Sequence, residues 1–598
     1  MNLLFLLFGA LVLFILGSRF YARIIGKNYG LEPDRPTPAV TINDGRDFVP
    51  TRIHVIFAHH FSAIAGAGPI IGPTMALLYG YAPAYVWIVL GCIFIGAVHD
   101  FSAVFVSIRE GGRSMAEVAR TTLGRLSFLM FILFTIIMLV LVTSNFLAAT
   151  AMSLTSKWPL EKLGLGAGQS LLKVVSGPTG TPLGVIGGIA STSVVIVTLA
   201  APLLGFLMYR RGIKLSVAYP LAAAICIGSI ILGLYVPISL DPKVWMVILS
   251  VYVFFASTLP VWFILQPRDF INVQILYAGV GLLALGVLIG GFTGMTMNVP
   301  ALNVGEGMLK LGALWPMLFI TIACGAVSGF HALVAGGTTA KQVSSEKDIK
   351  RIGYDTMVLE GILALLVLLA LGSSLNFDDY RVLVWPTPEQ AALSPSNPIL
   401  AFSLGVGRLL YNTLSIPQAL ATIFGILLIE GFVITTLDAA VRLNRYLFEE
   451  LWSIFFGGVE RVPRVLKNPN FNSGLAVALM MLLAFTNSFN SLWPLFGTGN
   501  QLLAALTLVV LAAWLIKRGR QWLFTLLPAL FLLVTTLASL YTLLKKYLSE
   551  DNYLLVGSDI ILIILALGMV ALMIWKLPQI WSQSRAMPTN QTPGTLNR

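Results

Sequence analysis

The sequence predicts an all-α integral membrane protein with about 15 transmembrane helices, built around an inverted repeat with extra helices. Of the 598 residues, 57% are hydrophobic and only 11% are charged, whereas soluble globular chains carry about a quarter charged residues. Apolar runs of about 20 residues, long enough to cross about 30 Å of hydrocarbon, recur along the whole chain. Lys and Arg cluster in the short loops between these runs, as is typical of membrane proteins.

The apolar runs place the predicted spans in order along the chain. They lie near residues 2–18, 55–79, 84–108, 127–152, 184–208, 216–237, 244–265, 271–293, 314–338, 356–375, 416–438, 473–493, 499–516, 522–544 and 555–576. We interpret 1–25 as a retained first span rather than a signal peptide, because its positive charges follow the apolar run. We expect a transporter core over 50–516 and further C-terminal membrane spans over 517–581.

The basic loops orient the predicted spans. Nearly all Lys and Arg clusters fall on one side of this topology, which we assign to the cytoplasm. This places the N-terminus outside and the C-terminus in the cytoplasm, with 377–397 as an outer loop and 442–470 as a cytoplasmic loop. The polar tail 582–598 is expected to be disordered. The net charge of +12 is thereby explained without a nucleic-acid partner.

Two glycine-rich segments hold most of the histidines. Three of the five, His54, His59 and His60, precede or begin the first segment, and His331 lies in the second. Glycine and proline predict broken helices near 59–73 and 324–339. In the predicted topology the two segments cross the membrane in opposite directions, which is typical of an inverted repeat with the binding site between its halves.

Broken helices expose backbone amides that can bind a carboxylate, and imidazole adds a donor or a proton acceptor. We therefore predict a substrate site formed by His59, His60, Gly66, Gly68, Ser328, His331, Gly336 and Thr338. The alternative is that these histidines only pack against neighbouring helices and bind local carbonyl groups.

Carboxylates inside predicted spans are functional candidates, because burying a charge in a bilayer is costly. We predict that His99, Asp100 and Glu430 carry a coupling proton. Asp438 and Arg442 lie one helical turn apart and predict a structural ion pair. Other polar groups admit structural explanations: Glu360 near a span end could reach the interface, 266–269 could anchor a loop, and Asn500 with Gln501 could line a cavity or secure a helix end.

Several classes of chemistry lack their signatures. No His-x-x-x-His pair predicts a metal site, and the three cysteines lie apart in apolar runs. The sequence has no phosphate-binding loop and no Gly-x-Ser-x-Gly motif. We therefore predict a non-enzymatic protein without cofactors, driven by an ion gradient. A membrane metalloenzyme and a receptor for carbon status are the alternatives, and the sequence leaves the oligomeric state open.

The sequence resembles the bacterial carbon starvation protein A family. The matching blocks are 59–69, 72–73, 100–101, 111–114, 266–269, 324–331, 337–339, 435–438 and 500–504. The resemblance implies an inner-membrane transporter induced when carbon is scarce, with uptake of short peptides or pyruvate and with proton coupling in the pyruvate carriers. It also implies kinship with transporters of the LeuT-type inverted repeat. Together these observations predict a secondary active importer of a small carboxylate-bearing nutrient; the choice between peptide and pyruvate, and between proton and sodium, stays open.

Overall fold

The computed structural model describes residues 1–44, 48–166, 168–177, 180–393 and 396–586. Within them, 12 helices are long and apolar enough to cross a membrane, or 13 if a bent pair counts as one span. The chain is therefore a multi-pass helical membrane protein. The predicted number of about 15 is not confirmed. One of the two remaining predicted spans contains a helix of 17 residues, and the other consists of two helices of eight residues.

The helices and strands follow one another in a simple order. The helices are α1 (Leu3–Leu16), α2 (Ala22–Tyr29), α3 (Pro38–Thr41), α4 (Ile53–Ile64), α5 (Gly68–Ala76), α6 (Tyr81–Gly91), α7 (Ala97–Arg109), α8 (Met115–Leu123), α9 (Arg125–Leu154), α10 (Gly187–Gly205), α11 (Leu215–Tyr235), α12 (Pro242–Thr258), α13 (Leu265–Phe292), α14 (Val304–Leu311), α15 (Leu314–Thr321), α16 (Phe330–Gly337), α17 (Thr356–Ser374), α18 (Phe377–Val384), α19 (Pro388–Leu393), α20 (Pro398–Leu414), α21 (Gln418–Phe455), α22 (Pro469–Thr486), α23 (Phe489–Lys517), α24 (Leu523–Ser549) and α25 (Tyr553–Ala586). The strands β1 (Lys157–Pro159), β2 (Val174–Ser176) and β3 (Pro182–Val185) form a small antiparallel sheet in the order β1-β3-β2.

The interior of the bundle is formed by helices that are buried over most of their surface. In α23 every residue from 492 to 516 is buried, and α9, α17 and α21 are buried over most of their membrane length. Helices α1, α11 and α25 instead expose many large apolar side chains, so they form the surface that faces lipid.

Two broken helical segments lie side by side in this interior. Helix α4 bends by 44° into α5 across residues 65–67, and residues 322–329 separate α15 from α16. His60 contacts Thr339, whereas Tyr79 at the far end of the first segment bonds to the carbonyl of Gly312. The two segments therefore run in opposite directions, with their breaks next to each other.

The structure changes three predicted boundaries. The predicted cytoplasmic loop 442–470 begins as helix, because α21 continues to Phe455 with Phe448 and Leu451 buried. The predicted outer loop 377–397 contains α18 and α19, and α20 follows it, capped by the Asn397 side chain. In the predicted disordered tail 582–598, α25 continues to Ala586 and residues 587–598 lie outside the described residues.

Candidate substrate and proton site

Two amide side chains of α23 secure the second helix break. The Asn500 side-chain oxygen accepts the backbone N–H of Phe330 at 3.0 Å, and its backbone carbonyl accepts that of Gly329 at 3.1 Å. The Gln501 amide donates to the carbonyl of Phe319 at 2.6 Å. The start of α16 and the end of α15 thus both bond to neighbouring residues of one rigid helix. Of the two roles considered for these amides, the structure shows the one that secures helix ends.

Beside this break lies a row of four buried titratable side chains, which we call the histidine chain: His99, Asp100, His331 and Glu360. The Asp100 carboxylate lies 2.8 Å from His99 Nδ1 through one oxygen and 2.6 Å from His331 Nδ1 through the other. His331 Nε2 lies 3.2 Å from Glu360 Oε2. The chain therefore connects α7, α16 and α17 through the body of the protein.

The histidine chain is shielded from solvent. Its four side chains are exposed by no more than 1%. A charge that is buried away from water must be compensated by a partner. This row contains only groups that gain or lose protons. The net charge of the row therefore depends on how many protons its members hold.

Close backbone contacts hold these helices together. A π-helical turn, Cys92–Gly96, joins α6 to α7 just before His99; such turns are frequent at functional sites. A Cβ atom at Gly96 would collide with the carbonyl of Ala326 in the second break, and one at Gly353 would contact the backbone of Phe101. The absence of side chains at these two glycines lets α16 and α17 approach Asp100.

His60 reaches the same region from the other broken segment. Its Nδ1 lies 2.8 Å from the Thr339 hydroxyl, and its Nε2 makes no hydrogen bond with a described residue. The neighbouring His59 and His54 are exposed. The structure therefore brings His60, His99, Asp100 and His331 to one region and leaves the other two histidines outside it.

The remaining predicted substrate residues also divide into those that lie at the breaks and those that lie away from them. Gly68 contacts Cys324, and Gly66 contacts Thr436 of α21, so both lie at the breaks. Ser328 bonds to the Asn500 side chain. Gly336, by contrast, packs on the backbone of residues 113–114. Thr338 is exposed and donates to a carbonyl of its own helix.

A second buried polar cluster lies on α12, α13 and α21 and corrects one prediction. Asp438 forms its ion pair with Arg268, at 2.8 Å, and not with Arg442. Arg442 instead donates to the carbonyls of Ala256 and Leu259. The reason is that α13 places a guanidinium directly against Asp438, while Arg442 reaches the C-terminal end of α12, where carbonyl groups lack helical partners. Glu430, the third residue of the predicted proton group, bonds to Ser153 in this second region.

The sequence matches a known protein family along most of its length. The model of the family described as Carbon starvation protein CstA matches residues 2–387 and 382–539. The chain belongs to this family. Its alignment with the peptide transporter CstA of Helicobacter pylori is 30% identical and covers 93% of the chain and 83% of that protein. With the peptide transporter CstA of Bacillus subtilis the identity is 29%, over 99% of the chain and all of that protein.

A CstA-family relative with a different named substrate also matches. The pyruvate/proton symporter BtsT of Escherichia coli is 29% identical over 89% of the chain and 80% of its own length. Among solved structures, MhsT in complex with L-phenylalanine overlaps with a TM-score of 0.43 at 14% identity, covering 86% of the chain and 98% of that protein. The membrane helices, the family and the relatives in sequence identify the chain as a secondary transporter rather than an enzyme.

Sequence reasoning missed two residues of this CstA-family protein that the structure places at its buried polar centres. Glu360 is fully buried beside His331, although it was interpreted as an interfacial residue. Arg268, interpreted as part of an anchored loop, is 1% exposed. A signal was present for Glu360, since a charged residue in a membrane helix is a functional candidate by default, whereas Arg268 fell between two predicted spans. Among the described residues, no group of three or more His, Cys, Asp or Glu side chains is arranged to hold a metal ion.

Proposed function

We propose that this protein imports a small carboxylate-bearing nutrient, a short peptide or pyruvate, by symport with protons across the bacterial inner membrane. Relatives of 29–30% identity are named as peptide transporters and as a pyruvate/proton symporter, which supports both substrate classes and the coupling ion. The family name supports a role in carbon starvation. The proposed orientation has the N-terminus outside and the C-terminus in the cytoplasm, with the basic loops inside.

The observation that carries proton coupling is the histidine chain. Two carboxylates and two imidazoles are buried in one row with contacts of 2.6–3.2 Å. Such a row holds a net charge near zero only when protons occupy some of its members. Proton uptake and release therefore change the attraction between α7, α16 and α17. This is the property that a coupling site requires, because the ion must favour one conformation over another.

The same geometry revises the role expected for one histidine. Both ring nitrogens of His331 face carboxylates, Asp100 on one side and Glu360 on the other. A substrate carboxylate placed there would meet two negative groups, one beside each ring nitrogen. In this proposal His331 belongs to the proton pathway, and substrate recognition lies elsewhere along the breaks.

The direct test is uptake into proteoliposomes of labelled pyruvate and of a labelled dipeptide, with and without an inward proton gradient. We expect accumulation of at least one of them to rise with the gradient. In Asp100→Asn the gradient effect should fall more than tenfold while exchange of substrate for substrate continues, because the variant removes a proton site. The control is Asp378→Asn, whose carboxylate is exposed in the first turn of α18 and pairs with Arg381. Full gradient dependence in Asp100→Asn would contradict the coupling role.

A further inference from the structure

Arg268 is a permanent positive charge in the interior of a membrane protein. It lies near the start of α13 with 1% of its side chain exposed. An arginine side chain keeps its proton under all physiological conditions, so this charge cannot be removed by titration as the charges of the histidine chain can. A buried charge of this kind is costly to keep and is a functional candidate.

The protein satisfies only part of this guanidinium. Nη1 donates to Asp438 Oδ2 and to the Tyr252 hydroxyl, each at 2.8 Å, and the guanidinium lies 5.3 Å from the centre of the Tyr252 ring. Nε is buried and makes no hydrogen bond with a described residue. A guanidinium offers five N–H donors in a planar fork suited to a carboxylate. Donor capacity therefore remains on Arg268 beyond what Asp438 uses.

The partly satisfied guanidinium lines a cleft that also contains an acidic side chain. Arg268, Glu430, Asn272 and Ser193 are among the residues around it. Glu430 Oε2 bonds to Ser153, whereas its Oε1 is buried without a hydrogen bond to a described residue. The cleft thus has unused donor capacity on a cation and unused acceptor capacity on a carboxyl group.

A neighbouring cleft connects this region to the first broken helix. Asn272 and Gly431 line both clefts, and Asp269, Thr435 and Ser62 line only the second. Ser62 lies on α4 just before the break at 65–67. The cleft beside Ser62 has a volume of about 20 Å³ and the cleft beside Arg268 a volume of about 10 Å³. Each holds at most about one water molecule. A nutrient would fit only after α4 moves away from α13 and α21, which is the kind of motion that a broken helix permits.

We infer that these two clefts are the closed form of the substrate site, with Arg268 binding the substrate carboxylate and Glu430 determining whether an ammonium group is accepted. The inference rests on the proposed function, since it assigns residues to the recognition of that nutrient. Asp438 and Tyr252 orient Arg268. The chemical class that fits groups of both signs is a small zwitterion, such as a short peptide with free ends.

Two variants separate the proposed roles. The double variant Arg268→Gln with Asp438→Asn removes both charges of the ion pair together, so that no unpaired charge stays buried. We expect it to lose binding of dipeptide and of pyruvate by more than tenfold. Glu430→Gln should weaken dipeptide binding by about tenfold, while an N-acetylated dipeptide and pyruvate bind within about twofold of the wild type, because they lack the ammonium group.

The experiment measures binding to purified protein by isothermal titration calorimetry and, in parallel, gradient-driven uptake into proteoliposomes. His54→Gln is the control, because His54 is exposed at the start of α4. Wild-type affinity in the double variant, or equal losses for free and N-acetylated dipeptide in Glu430→Gln, would overturn the site. Binding with the expected pattern but without gradient-driven uptake would support the site and refute proton coupling. No binding of either substrate class to the wild type would refute both.

Discussion

The histidine chain and the cluster of Arg268, Asp438 and Tyr252, which we call the arginine cluster, are both buried in the same bundle, yet they compensate buried charge in opposite ways. The histidine chain, His99 to Glu360, consists only of groups whose charge changes with a proton. The arginine cluster contains a guanidinium that stays charged and keeps Asp438 beside it. A site that must load and unload protons needs the first kind of chemistry, and a site that must attract a carboxylate before any proton moves needs the second.

The largest expected effect follows from breaking the permanent ion pair. Asp438→Leu leaves the Arg268 charge buried without a partner, which we expect to destabilise the protein by about 3–5 kcal/mol. Thermal unfolding of purified protein, followed by the loss of the monodisperse peak in size-exclusion chromatography, measures this. Arg268→Met with Asp438→Leu should recover most of the stability, because removing both charges leaves none uncompensated. If the double variant is as unstable as the single one, the pair does not act through charge.

The substitution Asp100→Asn in the histidine chain should cost less stability than Asp438→Leu. In Asp100→Asn the neighbouring imidazoles can become neutral, so the loss reduces to altered hydrogen bonds, about 1–3 kcal/mol. The same unfolding assay, run beside Asp438→Leu, measures the difference between the two regions. Equal destabilisation by the two substitutions would mean that the histidine chain also holds a fixed charge, and the comparison would fail.

A smaller effect should follow from releasing the second helix break. Asn500→Ala removes the side-chain bonds to Phe330 and Ser328, which we expect to cost about 1–2 kcal/mol and to lower uptake severalfold. Asn468→Ala is the matched control, since Asn468 caps α22 and its loss costs about 1 kcal/mol. The control should retain uptake. If both variants transport equally well, the position of α16 does not depend on Asn500.

The smallest effect belongs to an ion pair at the predicted outer face. Asp379 is partly buried, which opposes its ionisation, but hydrogen bonds from Lys162 and Arg408 outweigh burial and hold its pKa below the usual value. Because the folded-state pKa is lowered, the stabilisation is present above the unfolded value of about 3.9 and disappears as the pH falls through the folded value.

We expect Asp379→Asn to destabilise the protein by about 0.2–1 kcal/mol at neutral pH, as is usual for exposed pairs. The difference between variant and wild type should stay constant from pH 5 to 8 and shrink near pH 3. Unfolding midpoints measured across this range provide the test. A difference that changes between pH 5 and 8 would show that Asp379 is not the ionised partner described here.

Much of the architecture could be predicted from local features of the chain. Apolar runs of membrane length, the basic loops, and the glycine and proline residues near Gly66 and Gly325 indicate where helices cross the bilayer and where they break. These features depend on residues that are near one another in sequence. For the same reason His60 and His331, each close in sequence to a break, marked the region in which Asp100 and His331 meet.

Partners across the bundle could not be predicted in this way. Helical periodicity shows that Asp438 and Arg442 share one face of α21, but it does not show that Arg268 of α13 lies closer. Likewise, the burial of Glu360 depends on the packing of α16 against α17. The hydrogen bonds of Asn500 depend on α23 lying next to the second break. The chain's local sequence thus decided which segments are helical and where they are interrupted. Only the packing of helices distant in sequence decided which buried charges meet, because that choice depends on which helix faces touch.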